Sequence, residues 1–266
     1  MSGNQNGNLE EKDFTLERRV KIIELLEKDG HVKVINLSEQ FGVSEVTIRN
    51  DLAQLEEKGL LVRTRGGGMR TQRVAIDYQL NEKAKRYLKE KQAIGKAAAK
   101  LINENDTIII DSGTTTQELA KQLKNFKNLT IITNALNIAG QFVNDEDTKV
   151  IMLGGLLRHK SLSLIGPIAE TSLKNYFCDK LFIGVDGIDS HYGITTPNIE
   201  EAHLNRRMIE ISKEVIVLTD SSKFLRRSFA HIATMDRIDT VITDSNIPEE
   251  ELKNLRNAGV NVIIAN

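Results

Sequence analysis

Ser44-Glu-Val-Thr-Ile-Arg-Asn-Asp-Leu-Ala-Gln-Leu-Glu-Glu-Lys58 is the stretch that decides how the front of this 266-residue chain is read. Ser44 is a strong N-cap residue, set just after a glycine turn. Ile48, Leu52 and Leu55 fall at i, i+4 and i+7, one narrow apolar stripe, so the stretch predicts a helix with one buried side. At about 100° per residue the opposite side carries Val46, Asn50 and Ala53, flanked by Thr47, Arg49 and Gln54. Asp51, Glu56 and Glu57 lie off that side or near its far end. A solvated helix face is ordinarily rich in Lys and Glu. This one is short-chained, hydrogen-bonding and free of acids, a surface made to lie against something, and a DNA major groove is the leading candidate.

Outward from that helix, residues 1–13 are expected to form a disordered tail. Phe14–Lys28 predicts a first amphipathic helix through Leu16, Val20, Ile23 and Leu26, closed by Asp29-Gly30. His31–Ile35 is a short extended stretch, and Asn36 is expected to cap a second helix through Leu37 and Phe41. Downstream, Gly59-Leu-Leu-Val-Arg-Thr-Arg-Gly-Gly-Gly68 reads as strand, turn and strand, a basic wing. Three helices with a tight turn between the last two, plus a trailing hairpin, make a small α+β winged helix-turn-helix domain over residues 14–70. The competing reading is a three-helix capping subdomain without a DNA role. Ser44, Glu45, Val46, Thr47, Arg49 and Asn50 are the candidate DNA-contacting residues of the helix, and Arg63 and Arg65 those of the wing. Arg49 suits a guanine edge or a phosphate, Asn50 an adenine edge and Val46 a thymine methyl.

Charge supports that partner. The chain as a whole is at −1, but from Lys58 to Lys91 ten cations stand against three acids. That strip, a local +7, includes a polar connector over residues 71–90. With 40% hydrophobic and 27% charged residues, the composition is that of an ordinary soluble protein. No apolar run approaches the length that spans a bilayer, and the polar start at Met1–Lys12 does not read as a signal peptide, so a cytoplasmic protein is expected. The single cysteine, Cys178, suits a reducing compartment and reads as a buried small residue. None of the five histidines has metal-ligand spacing to a second His or Cys, and G-x-S-x-G is absent, so no metal or cofactor is expected.

Residues 91–266 predict a different architecture. Apolar β-branched runs occur at Thr107–Ile110, Leu129–Thr133, Lys149–Leu153, Lys180–Val185, Glu214–Thr219, Thr240–Thr243 and Asn261–Ile264. Helical patterns fall between many of them, as at Thr115–Leu123, Glu200–Ser212 and Glu249–Asn257. Near-continuous apolar strands separated by helices imply an α/β domain with a mostly parallel, helix-covered sheet.

In such sheets ligands lie beyond the carboxyl ends of the strands, and here those ends are unusually polar. The first gives Asp111, Ser112, Gly113, Thr114, Thr115 and Thr116 directly into a helix: amides, hydroxyls and a helix start that could cradle a phosphate, or a plain glycine turn with a capping Thr. It lacks the lysine of a Walker-type loop. Further ends bring Asn134, Gly154 with Gly155, Asp186 with Gly187, and Lys223. Lys223 is the candidate phosphate cation and Asp186 an acceptor for sugar hydroxyls. Glu200 and Glu201 either face the same ligand or serve the first turn of a helix.

Taken together, these motifs resemble the DeoR family. Val43–Leu52, Leu55–Leu60 and Arg65–Gly68 resemble its helix-turn-helix signature. Asp111–Thr116, Thr133-Asn134, Leu153–Gly155, Ile183–Gly187, Glu201-Ala202 and Asp220–Phe224 resemble its sugar-phosphate sensor, similar in fold to ribose-5-phosphate isomerase and CoA-transferase enzymes. The resemblance covers the chain beyond residue 14. It implies a repressor of a carbohydrate operon, bound to double-stranded operator DNA as a homodimer or homotetramer and released by a phosphorylated sugar or amino sugar. Two departures stand out: Asn50 where many members carry a second Arg, and Asn205 where many carry Lys. With Glu201–Asn205 they most resemble regulators of amino-sugar catabolism of the N-acetylgalactosamine type. The rival reading is a sugar-phosphate isomerase with an accessory DNA-binding domain, in which Asp186 with Glu200 or Glu201 would supply acid and base. Such an enzyme has no need of the first 65 residues.

Overall fold

The computed structural model describes residues 5–70, 77–124 and 126–266, with side chains described from Phe14 onward except at 27, 28 and 70. The chain divides into two compact units, residues 1–76 with 81–86, and residues 77–80 with 87–266.

In the first unit, helix α1 spans Gln5–Asp29. It begins nine residues before the expected Phe14, inside the stretch read as a disordered tail. Leu9-Glu-Glu-Lys12 are good helix formers with no proline to stop propagation from the turn that follows. Val20, Ile22, Ile23 and Leu26 are buried. Strand β1 is His31–Lys33 and helix α2 Val34–Phe41. The expected cap at Asn36 is thus displaced: the cap position falls three residues earlier, at Lys33, without a side-chain cap. Burial of Val34 and Leu37, with the Val34 amide donating to the Gly66 carbonyl at 2.8 Å, starts the helix instead. Gly42, at φ 62°, turns the chain into helix α3, Glu45–Glu57. Strands β2 (Leu61–Thr64) and β3 (Gly67–Arg70) form the expected hairpin, and β1 adds to it in the order β1-β3-β2, all antiparallel. A Cβ on Gly67 would sit 1.8 Å from the Val32 carbonyl oxygen, so only glycine lets β1 and β3 approach.

Helices α4 (Leu80–Lys85) and α5 (Leu88–Ala99) lead into the second unit. Its frame is strands β4 (Thr107–Ile110), β5 (Thr130–Thr133) and β6 (Lys149–Met152), then the hairpin β7 (Leu156–Arg158) and β8 (Ser163–Ile165), then β9 (Cys178–Gly184). The short strands β10 (Gly187–Asp189) and β11 (Gly193–Thr196), then β12 (Ser212–Leu218), β13 (Ala230–Ala233), β14 (Thr240–Asp244) and β15 (Asn261–Ala265), complete it. Helices α6 (Thr114–Ala120), α7 (Leu136–Ala139), α8 (Pro167–Leu173), α9 (Ile199–Glu210) and α10 (Glu249–Asn257) lie between strands.

The seven apolar runs form one seven-stranded sheet, β15-β14-β12-β9-β4-β5-β6, and every neighbouring pair is parallel. Alternate residues feed opposite cores. Ile109, Leu181, Ile183, Val215 and Val217 join one with Leu204, Met208 and Leu255; Ile108, Ile110, Phe182, Ile216 and Leu218 join the other with Ile94, Leu119 and Leu123. Both faces are covered, which is why the strands read as continuous apolar runs. Gly95 of α5 lies so close to α6 that a Cβ would stand 2.7 Å from the Glu118 carbonyl carbon. The β7–β8 hairpin and the antiparallel sheet β10-β11-β13 were not expected from the sequence.

The strand order locates the site. From β4 the chain steps outward to β5 and β6, then returns to place β9 on the other side of β4 and continues to β12, β14 and β15. The connections leave in opposite directions between β4 and β9, and the crevice at that reversal is where open parallel sheets bind ligands. Asp111 follows β4 there, and Asp186 follows β9.

Candidate functional site

Asp111 is a buried carboxyl at that crevice. Burial first and the charge of Glu201 second push its carboxyl up, against the Ser112 amide and the side chains of Asn205 and Asn134, to about 7. Asn134 also receives the Ser112 N–H on its Oδ1 at 3.2 Å, fixing the start of the Ser112–Thr116 turn. Thr133, whose hydroxyl donates to the Ile110 carbonyl at 2.7 Å, holds β5 beside β4 at this level. Ser112 and Gly113 are half-buried, while Thr114, Thr115 and Thr116 are buried as they open α6. Thr116 Oγ1 has no hydrogen-bond partner among the described residues.

Glu201 is the hub. Asn198 caps α9 by accepting the Glu201 N–H at 2.9 Å, and this sets the carboxylate inward. Its Oε1 accepts from Ser161 Oγ at 2.7 Å, Ser163 Oγ at 3.2 Å and Arg158 Nη1 at 3.2 Å, and its Oε2 from Thr196 Oγ1 at 3.3 Å. Arg158 also donates to Ser161 Oγ at 2.8 Å and pairs through Nη2 with Asp77. Burial works against the Arg158 charge, but Glu201, Asp77 and Asp186 outweigh it and hold the guanidinium above its ordinary value. The β7–β8 hairpin that carries these serines is tied to the end of β5: the Leu164 N–H donates to the Asn134 carbonyl at 2.7 Å and the Leu136 N–H to the Leu162 carbonyl at 2.9 Å.

The structure therefore brings together Asp111, Ser112, Asn134 and Glu201 from the sequence-based set, with Asp186 in electrostatic reach of Arg158. It separates the acid pair: Glu200 is exposed on the first turn of α9, where a carboxylate suits the helix dipole. Two glycines have architectural work. A Cβ on Gly155, at φ 132°, would stand 2.4 Å from the Ile165 carbonyl oxygen across β7–β8, and one on Gly187 equally close to the Arg226 carbonyl. Gly154 is exposed before the hairpin. Lys223 ends the 3-10 turn Ser221–Lys223 beyond β12, with its N–H donating to the Asp220 carbonyl. Sequence reading passed over Arg158, Ser161, Ser163, Thr196 and Asp77. Cys178 is buried, and its thiol is pushed up to about 11 by burial and by Asp179, as suits a packing residue.

In the first unit, Ser44 Oγ accepts the Thr47 N–H at 3.1 Å and lies 2.9 Å from the Thr47 hydroxyl. Ile48, Leu52 and Leu55 are buried, and so is Asp51, gripped by Arg18 Nε at 2.6 Å and Arg19 Nε at 2.7 Å. That pair of ion pairs fixes the rotation of α3, and Val46, Arg49, Asn50 and Gln54 face water. Glu45 qualifies the acid-free face: its carboxylate holds Arg49 Nη2 at 2.5 Å, one turn along. Arg63 and Arg65 are exposed on β2 and the wing turn, and the Arg63 N–H donates to Glu56 Oε1 at 2.9 Å. Among the described residues no helix is long and apolar enough to cross a membrane.

Comparison with known proteins matches both units. Residues 18–73 fit the DeoR-like helix-turn-helix domain and residues 86–245 the DeoR C terminal sensor domain. The chain is 44% identical, over 94% of its length and 94% of the relative's, to a protein of Escherichia coli O157:H7 that bears the name "Putative aga operon transcriptional repressor". It is 36% identical to the HTH-type transcriptional repressor GlcR of Bacillus subtilis (strain 168), covering 86% of this chain and 88% of that one. Ribose 5-phosphate isomerase A from Methanocaldococcus jannaschii is 17% identical with a TM-score of 0.38, over 51% of this chain and 53% of the other. Relatives aligned along nearly the whole chain are regulators, and the isomerase reading falls away. A helix-turn-helix domain with its recognition helix turned to solvent, joined to a matched sensor domain, leaves one assignment: the chain is a DNA-binding transcriptional regulator and belongs to the DeoR family.

Proposed function

We propose that this regulator represses a carbohydrate-catabolism operon and leaves its operator when a phosphorylated sugar or amino sugar binds the sensor unit. The observation that carries the proposal is the buried group at the β4/β9 reversal: Asp111, Asn134 and Glu201, with the Arg158 guanidinium beside them. Carboxylates and amides of this kind read hydroxyls and amino groups, and the Ser112–Thr116 turn with a cation from the same edge, Lys223 or Arg158, suits a phosphate. The 44% relative's name, an aga operon repressor, supports an amino sugar as the ligand class.

On the DNA side, Val46, Thr47, Arg49 and Asn50 enter the major groove with Ser44 at the helix start, and Arg63 and Arg65 reach phosphates or the minor groove. Glu45 steadies Arg49 until a base or phosphate takes its place. One short recognition helix gives limited specificity, so the protein works as a homodimer or homotetramer on repeated half-sites, in the cytoplasm where operator and effector meet. The effector acts by favouring an arrangement that misplaces those half-site helices.

Electrophoretic mobility shift with the upstream region of the neighbouring sugar genes, over a salt series and a panel of hexose and hexosamine phosphates, tests this. The expected result is salt-sensitive binding released by one phosphorylated sugar and not by its unphosphorylated form. Operator binding indifferent to the entire panel would overturn it.

A further inference from the structure

Asp77 is the residue of the site cluster that comes from outside the strands and helices of the sensor sheet. It belongs to the short segment 77–80 that joins the sensor unit. Its Oδ2 pairs with Arg158 Nη2 and lies 3.3 Å from Lys160 Nζ, and Lys160 Nζ also reaches the Asp77 carbonyl at 3.5 Å. A second tie follows three residues on, where the Leu80 N–H donates to the Lys160 carbonyl at 2.8 Å. An ion-pair cluster and a backbone hydrogen bond thus tie segment 77–80 to residues of the β7–β8 hairpin and its turn, beside the burial of Tyr78 and Leu80.

We propose that Asp77 is a built-in stand-in for the effector's phosphoryl group, occupying Arg158 and Lys160 until that group displaces it and releases segment 77–80. The inference rests on the reading that the sensor binds a phosphorylated sugar, and it adds the residue that binds the anion and the contact that the anion breaks.

Arg158 is the right cation for such an exchange. Its other nitrogen is fixed by Ser161 at 2.8 Å and Glu201 at 3.2 Å, so the guanidinium keeps its aim when Asp77 leaves. The side chain is only 12% exposed, and Nη2 already has Asp77 as its partner, so an anion gains Nη2 by taking that place. Asp77 is a poor occupant. Its Oδ1 is buried without a hydrogen-bond partner among the described residues, so half of the carboxylate is desolvated for no return. A phosphoryl group brings three acceptor oxygens and up to two charges to the same two cations. Being tethered, Asp77 nonetheless competes at a high effective concentration, which keeps the site closed to weak anions. An anion added beside a retained Asp77 would set two negative groups against each other on the same two cations, so exchange is favoured over addition. The segment released lies inside the 71–90 connector, flanked in sequence by residues of the first unit, so occupancy of Arg158 is read by the chain that carries the DNA-binding domain.

The test uses the full chain and its Asp77→Asn and Arg158→Gln variants, with inorganic phosphate as the probe. Calorimetry reads affinity, and hydrogen exchange reads the Leu80 amide. If the tethered carboxylate occupies Arg158 nine times in ten, Asp77→Asn binds phosphate about tenfold more tightly. Phosphate speeds Leu80 exchange in the parent, Asp77→Asn shows fast exchange without ligand, and Arg158→Gln loses the phosphate response. Unchanged phosphate affinity in Asp77→Asn, or Leu80 protection indifferent to phosphate in the parent, overturns the exchange. The two readings separate in the operator assay. Sugar phosphates that release operator equally from parent and Asp77→Asn leave the effector reading standing and sink the stand-in. Phosphate that displaces Asp77, while no sugar phosphate alters operator binding, does the reverse.

Discussion

Asp111→Asn should remove a pH dependence that the parent carries in its sensor unit. Asp111 is raised from 3.8 to about 7 in the fold, first by burial and then by Glu201. Because the folded value lies above the unfolded one, the proton favours the fold: the contribution is complete below about 3.8 and is lost as pH rises through about 7. At 1.36 kcal/mol per unit the full effect is about 4 kcal/mol, and roughly 2 to 3 kcal/mol of it falls between pH 5 and pH 8. Asparagine is isosteric and never ionises, so the variant keeps the neutral-state hydrogen bonding near Asn134 and Asn205 without the titration. Urea unfolding followed by circular dichroism at pH 5 and pH 8, on either side of the isoelectric point near 6.6, measures the difference. Relative to the parent, Asp111→Asn should gain about 2 to 3 kcal/mol on going from pH 5 to pH 8. A parent–variant difference that stays constant between the two would show that Asp111 is ionised throughout, and that the crevice is wetter than its geometry implies.

Arg49→Ala should abolish the operator shift while leaving the circular dichroism spectrum unchanged; retained operator affinity would remove Arg49 from the recognition surface. Lys223→Ala should leave operator binding intact and weaken release by the effector, and equal effector affinity in mutant and parent would take Lys223 out of the site. Asp51→Ala should destabilise the DNA-binding unit by about 3 kcal/mol, since it strands two guanidinium groups that converge on one buried carboxylate. A loss below about 1 kcal/mol in urea unfolding would mean that Arg18 and Arg19 reach water without it.

Much of the fold is legible because it rests on periodicity. All seven expected strands form the sheet, since the part of a strand covered on both faces must be apolar at successive positions, as Ile108–Ile110 and Val215–Leu218 are. The helix at Ser44 is legible for a similar reason: its cap and its stripe at Ile48, Leu52 and Leu55 are local features. Where the reading misses, tertiary contacts override local signals. Asn36 is a better cap residue than Lys33, yet burial of Val34 starts α2 earlier. The three-residue strands β7, β8 and β10 are too short for a periodic signature, and each is held by a glycine approach or a bridge to a distant loop.

The site is less legible for a reason that bears on how such sensors are read. Sequence can say which strand ends are polar, and so it finds Asp111, Asn134 and Asp186. It cannot say which neighbour in a pair turns inward: Glu200 and Glu201 are chemically identical, and only the cap at Asn198 and the position of Ser161, Ser163 and Thr196 choose Glu201. Nor can it find Arg158, which sits in the β7–β8 hairpin rather than at a sheet-strand end and owes its place to the tie between that hairpin and the end of β5. The conspicuous cation, Lys223, and the half-buried one, Arg158, make different demands on a ligand. A lysine is a point charge that tolerates many anion geometries, whereas a guanidinium fixed by Ser161 and Glu201 accepts an oxygen in one direction. If Arg158 takes the effector's anion, discrimination between sugars that differ in where the phosphate is carried is built into the β7–β8 hairpin, and Arg158→Lys should bind the effector more weakly and distinguish its positional isomers less. Calorimetry with the 1- and 6-phosphates of one hexosamine decides this: equal selectivity in parent and Arg158→Lys would return the anion to Lys223 and leave Arg158 as a scaffold for Glu201.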